Sequence, residues 1–305
     1  DLCGAYRLDG NLGVLAMHVL IATNGSSNSD AALRLGSQIG RPGDEPLTIL
    51  TVIKRGAERP TVPVDAILAR ACEIVQPGSP GVRTRVRFGH PAVEIVCEAE
   101  EGGYDLVIVG EQASRNLVMR TLVGSTTVRV VEHAPCPVVV AKGKIGPIRR
   151  ILLCDSGSES PTIRLPSALS GKGPSVLSRF TALPLELLDG VEEIVVLHVM
   201  SQMSAGPGVK GIQLRSSIDE LIEAGAPEGE MLQRDIYALE RLGIRAQAKV
   251  RHGLVVEEIL DEAQRGDYDL VVIGAFRGEG WQRILLDDLA HRIVVELDRP
   301  VLVVR

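Results

Sequence analysis

The chain has 305 residues, 39 acidic against 33 basic side chains, and a net charge of −6. That length suits two domains at roughly 100–200 residues each, and 45% apolar with 24% charged residues is ordinary globular composition. It excludes disorder, collagen-like repeats and a strongly basic surface for nucleic acid or anionic membrane, and 3% aromatics is too few for a stacking platform along single strands.

In chain order, residues 1–14 are set apart as an N-terminal extension; they lack the charged-then-apolar pattern of a signal peptide. Val19 to Thr23 is apolar and β-branched and predicts a buried strand, with Asn24-Gly25-Ser26 as turn and helix start. Ala31 to Ile39 predicts a helix, Leu47 to Ile53 a second strand, Val64 to Val75 a second helix, and Val82 to Phe88 a third strand. Ala92 to Glu101 predicts a helix with Glu94, Glu98 and Glu101 on its wet face. Leu106 to Val109 predicts a fourth, central strand, Thr126 to Glu132 a helix, and Val138 to Ala141 the last strand. The alternation predicts an α/β fold: a mostly parallel open sheet with helices on both faces. The apolar runs are far shorter than the ~18–20 residues of a membrane helix. The five cysteines, Cys3, Cys72, Cys97, Cys136 and Cys154, are odd in number and form no C-x-x-C pair, which fits a reducing cytoplasm.

The pattern then repeats. Val86 to Gly110 aligns with Val250 to Gly274 at a constant offset of 164, pairing Gly89/Gly253, Glu94/Glu258, Tyr104/Tyr268, Asp105/Asp269 and Gly110/Gly274. His18 to Ser26 matches Arg150 to Ser158, Ile49 to Lys54 matches Val196 to Ser201, and the segment at Pro137 matches that at Pro300 at offset 163. The linker lies within Lys142 to Pro147, giving a first repeat at 15–143, a linker at 144–147 and a second repeat at 148–305. The second repeat carries two insertions, Ser158 to Gly190 and Ser201 to Glu230, expected as loops or short helices.

Open parallel sheets bind ligands beyond the carboxyl ends of strands, where strand order reverses. In the first repeat this directs attention to Thr23-Asn24-Gly25-Ser26 and to the stretch from Gly110 to Gly124-Ser125-Thr126-Thr127. A glycine before a helix N-terminus exposes backbone N–H groups at the positive end of the dipole, and Ser125 and Thr126 add hydroxyls, chemistry that suits a phosphate. The same residues also serve a plain tight turn with an N-cap serine.

VLIATNGSSNSDAAL, GHPAVEIVCEAEEGGYDLVIVG and LVGSTTVRVVEHAPCPVVVAK, in that order, resemble the universal stress protein family, over nearly all of the first repeat. The second repeat resembles it in Arg150 to Ser158, Ile194 to Met200 and Arg245 to Arg305. The resemblance implies two open parallel-sheet domains of the adenine nucleotide alpha-hydrolase-like kind, strand order 3-2-1-4-5, and in some members an ATP site. Nucleotide-binding members carry an Asp after the first strand and a loop G-x2-G-x9-G-(S/T). Here the Asp position is Asn24, the first Gly is Gly110, the second falls at Ala113, and the final pair is Gly124-Ser125, one residue beyond the family spacing. Val52 matches the position that meets adenine through its backbone. The implied site is Thr23, Asn24, Gly25, Val52, Val109, Gly110, Ala113, Gly124, Ser125 and Thr126, with Arg115 and Arg120 in the loop. No catalytic or metal-binding residue is assigned.

The second repeat departs further: the Asp position holds Ser156 with Asp155 beside it, the second Gly is Arg277, and Gly124 and Ser125 become Asp287 and Asp288, read as a helix start whose carboxylates would repel a triphosphate. Trp281 falls in the loop before them. Asp105 and Asp269 read as structural helix-to-strand turn residues. Gly206 to Gly211 fits G-x-G-x-x-G but follows the wrong strand, and the six histidines lack metal-ligand spacing.

Three readings follow: a cytoplasmic tandem module binding ATP or another adenine nucleotide in the first repeat, a structural or interaction protein with both sites degenerate, or a slow ATPase. Magnesium and a homo-oligomer are left open, and nucleic acid and membrane are not expected as partners. In the family the last strands pair across a two-fold axis, so Val138 to Ala141 and Val301 to Val304, apolar edges otherwise, are expected to pair within this chain as a pseudo-dimer.

Overall fold

A computed structural model describes residues 17–39, 47–54, 62–75, 81–111, 125–155, 175–183, 188, 190–201, 216–274 and 281–305, with backbone alone at 281–288. The first unit alternates β1 (Val19–Thr23), α1 (Ser27–Ile39), β2 (Leu47–Ile53), α2 (Val64–Val75), β3 (Val82–Phe88), α3 (Pro91–Gly102), β4 (Leu106–Gly110), α4 (Ser125–His133) and β5 (Val138–Ala141). The second runs β6 (Arg150–Asp155), α5 (Val176–Thr181), β7 (Glu193–Met200), α6 (Ile218–Glu223), α7 (Pro227–Arg241), β8 (Arg245–His252), α8 (Val255–Arg265), β9 (Leu270–Gly274), α9 (Trp281–Glu296) and β10 (Val301–Val304).

Helix α1 starts four residues before the expected Ala31 because Ser26 caps it. The Ser26 Oγ accepts from Ser29 N at 3.3 Å, and the Ser26 carbonyl accepts from Asp30 N at 3.1 Å. Helix α3 opens on Pro91, whose missing N–H costs nothing in a first turn, and closes at Gly103 in the left-handed region, φ +61°.

The strands form one ten-stranded sheet in the order β3-β2-β1-β4-β5-β10-β9-β6-β7-β8. Each unit is internally parallel in the order 3-2-1-4-5, and β5 and β10 join them antiparallel, pairing Val140 with Val301, Val139 with Leu302 and Val138 with Val303. Helices α3, α4, α8 and α9 contribute to the core on one face of the sheet; α1, α2, α5 and α7 contribute to the other. The central strands β1, β4, β6 and β9 are almost wholly buried, as their unbroken apolar runs require.

The insertions of the second unit supply α5, α6 and the first turn of α7. Ser217 and Glu220 close a reciprocal capping box at the start of α6.

The structure corrects the expectations for Glu98, for Asp287 and Asp288, and for Trp281. Glu98 is buried, 7% exposed, because Arg87 on β3 and the Tyr104 hydroxyl reach it. Asp287 and Asp288 lie in the middle of α9, which begins at Trp281, so they are not at a helix start and Trp281 is not in a loop. Asp105 and Asp269 do tie turns to strands: Asp105 accepts from His18 N at 2.9 Å, and Asp269 from Arg149 N and Arg150 N at 2.8 and 2.9 Å. No helix among the described residues is long and apolar enough to cross a membrane.

Candidate functional site

Strands β1 and β4 lie side by side with Ala22 beside Val109. From β1 the chain proceeds by α1 to β2, and from β4 it proceeds by α4 to β5 on the other side. The carboxyl ends of β1 and β4 thus bracket the point where strand order reverses, the position that open α/β sheets use for ligands.

The β1–α1 turn is held by its own short side chains. The Thr23 hydroxyl donates to Ser29 Oγ at 2.9 Å and accepts from Gly25 N at 3.2 Å. Asn24 Oδ1 accepts from Ser26 N at 3.0 Å, an Asx turn, so this exposed side chain is folded back on its backbone. Gly25 sits at φ +77° with Ile67 beneath it. From β2, the Thr51 hydroxyl donates to the Thr23 carbonyl at 3.1 Å, and half-buried Val52 follows.

Gly110 closes the other side. A β-carbon there would run into the carbonyl of Asn28, so only glycine lets the end of β4 lie against the first turn of α1. The Thr127 hydroxyl donates to the Gly110 carbonyl at 3.1 Å and so draws the first turn of α4 to the same edge. Ser125 opens α4 and is exposed; Thr126 is half-buried. The structure therefore brings together Thr23, Asn24, Gly25, Val52, Gly110, Ser125 and Thr126. Val109, beside Ala22 at the end of β4, is buried in the core at 4% exposure. Ala113, Arg115, Arg120 and Gly124 lie outside the described residues.

The equivalent edge of the second unit is built differently. Asp155, at the Thr23 position, is 3% exposed, and Asp235 of α7 is 1% exposed. Burial and the neighbouring Asp155 carboxyl push the Asp235 carboxyl up to about 7, against the pull of the Arg234 guanidinium, which donates to Asp235 Oδ1 at 3.3 Å. The His198 ring contacts the Asp155 carbonyl at 3.1 Å through Nδ1, and burial lowers its basicity. Gly274, the counterpart of Gly110, faces Val176 of α5 instead of helix backbone. The acid pair escaped the sequence reading, although a signal was there: offset 164 carries buried Ala71 onto Asp235. Among the described residues no group of three or more His, Cys, Asp or Glu is placed to hold a metal.

A family profile, described as the universal stress protein family, matches residues 16–142 and 187–305. The chain belongs to the universal stress protein family. A Staphylococcus haemolyticus relative carrying the same family name is 30% identical over 139 residues, spanning 41% of this chain and 84% of its own. A universal stress protein structure from Archaeoglobus fulgidus covers 97% of this chain and 98% of its own at TM-score 0.55 and 20% identity. A Pseudomonas aeruginosa structure of unknown function covers 95% and 92% at TM-score 0.62 and 18% identity. At such identities the two structures speak for the fold. They span both units, whereas the staphylococcal relative has the length of a single universal stress protein unit.

Proposed function

We propose that this tandem universal stress protein is a cytoplasmic stress-response module that binds one adenine nucleotide, ATP or a close relative, in its first unit. The observation that carries the reading is the strand-order reversal at β1/β4, where the N-termini of α1 and α4 meet around Gly110. The first-turn N–H groups of α4 and the positive dipole ends of both helices favour phosphate there, and the end of β2 at Val52 offers backbone to a base. The second unit supports the assignment by contrast. The carboxyl pair Asp155 and Asp235, buried at its equivalent edge, disfavours a polyphosphate there. A second reading, an interaction protein without nucleotide, is favoured by Asn24, whose side chain is engaged in its own turn.

Calorimetry with ATP tests the choice. One site per chain is expected. Gly124→Asp should abolish it, and Ser125→Ala should weaken it by about 0.5–1.5 kcal/mol, the worth of one neutral hydrogen bond. Two equivalent sites would refute the assignment to the first unit, and no binding would leave the interaction reading standing.

A further inference from the structure

Lys142 is the first residue beyond β5, and its side chain is 1% exposed. A lysine so buried is unusual unless its ammonium is paired. Its partners come from both units. Nζ donates to the carbonyls of Val294 at 2.7 Å and Val295 at 3.2 Å, in the last turn of α9, where the helix dipole favours a cation. On the other side it lies 3.7 Å from Glu111 Oε1. Glu111 directly follows Gly110, and its N–H donates to the Ala141 carbonyl at 3.1 Å, so it is anchored to the residue preceding Lys142. Gly143, at φ +63°, then packs so closely on the Asp298 carbonyl that a β-carbon would overlap it. Burial pulls the ammonium's basicity down while Glu111 holds it up.

The end of β4 at Gly110–Glu111 and the C-terminal turn of the second unit's α9 are therefore joined through one buried side chain. We propose that Lys142 is a positioning residue that relays occupancy of the first unit's nucleotide edge to α9 of the second unit. This rests on the nucleotide reading above. Phosphate drawn onto the α4 N-terminus tightens the Gly110–Glu111 segment, and Glu111 fixes Lys142 against the Val294 and Val295 carbonyls. The coupling runs both ways, as any linkage must: a partner that holds α9 raises nucleotide affinity. Helices α4 and α9 also meet around a small crevice lined by Val128, Val131, Ala290 and Val294, a second route that the test must separate.

The experiment pairs ATP calorimetry with amide hydrogen exchange on the full chain. Exchange reads local opening element by element. In the wild type, saturating ATP is expected to slow exchange at 289–296 of α9 several-fold. Lys142→Met should still bind ATP but lose that response, and Glu111→Gln, which keeps the backbone bonds and the fold, should weaken it. Binding without any change in α9 in the wild type overturns the relay while leaving the nucleotide reading intact. A response that survives both substitutions overturns it too, by assigning the transmission to the α4–α9 crevice. Absence of binding in calorimetry overturns the nucleotide reading and the relay with it. Should Lys142→Met fail to fold, Glu111→Gln alone decides between these outcomes.

Discussion

Asp235 marks the sharpest difference between the two units at residue scale. Its counterpart, Ala71, is a small apolar side chain; here two carboxyls, Asp155 and Asp235, meet out of water. Ionising both is expensive, so the folded protein keeps a proton on Asp235 up to about pH 7, whereas an unfolded chain releases it near 3.9. Between those values the native state binds more protons than the unfolded one, and stability falls as pH rises through that window. Above it the penalty is constant. Asp235→Asn carries a neutral group at every pH, so it should stabilise the protein at pH 8 by on the order of 2 kcal/mol more than at pH 5. His198 acts in the opposite sense, since a buried neutral imidazole loses stability when acid protonates it. It is common to both proteins and cancels in the difference, as Arg234 and Glu228 do to first order. Thermal melts of both proteins at the two pH values check this; an equal gain at pH 5 and pH 8 would remove the proton-sharing pair.

Elements show the duplication most plainly in their ion pairs. Arg87 on β3 binds Glu94, Glu98 and Glu101 of α3 at 2.9, 2.9 and 2.8 Å, and Tyr104 donates to Glu98. One repeat later Arg251 on β8 binds Glu258, Asp261 and Glu262 of α8, and Tyr268 donates to Glu262 at 2.8 Å. Glu262 has a second cation, Lys249 at 2.7 Å, and its side chain is 3% exposed. Removing its charge takes from Lys249 the carboxylate it binds and from Arg251 one of three, so Glu262→Gln should cost about 1–3 kcal/mol in urea unfolding. Arg265→Ala, at an exposed helix pair, should stay within about 0.5 kcal/mol. Equal costs at the two positions would mean that burial adds nothing here.

The same elements show what sequence can carry. The bounds of β1, β2 and β5 follow from apolar, β-branched runs, those of β3 from its alternation of Val or Thr with Arg, and the 3-2-1-4-5 order from the family resemblance. Helical spacing puts Glu98 on the wet face because it sees only its own helix; the arginine that buries it lies on a strand 11 residues away. Aligning Asp287 with Gly124 hid the start of α9, because α9 is 16 residues long and α4 only nine. At the candidate site Gly110 was legible as the glycine that ends β4. Asp235 stands out only by falling on Ala71 at offset 164, and its meeting with Asp155 depends on how α7 packs against the end of β6.

The whole molecule turns on one seam. Val138, Val139, Val140, Val301, Leu302 and Val303 are fully buried where β5 meets β10, and these are the strands that would otherwise be exposed apolar edges. Strand edges of this kind pair with whatever matching edge is present. The register also says how the first unit would behave alone. Offset 163 places Leu302 on Val139, so the observed Leu302–Val139 pair corresponds to Val139 facing Val139 in a symmetric dimer, and Val301–Val140 to Val138 facing Val140. A fragment of residues 17–143 is therefore expected to run as a dimer in light scattering at micromolar concentration. Directly opposed residues in an antiparallel pair bring their β-carbons to about 4.5–5.5 Å, close to disulfide reach. Val139→Cys should accordingly form a covalent dimer on oxidation, above the level of the parent fragment with its own cysteines. In the full chain the same substitution faces Leu302 and should give no such link. A monomeric fragment, or a dimer that Val139→Cys cannot lock, would mean that the seam depends on contacts outside the strands, with Lys142 and Gly143 against the α9–β10 turn the first to examine.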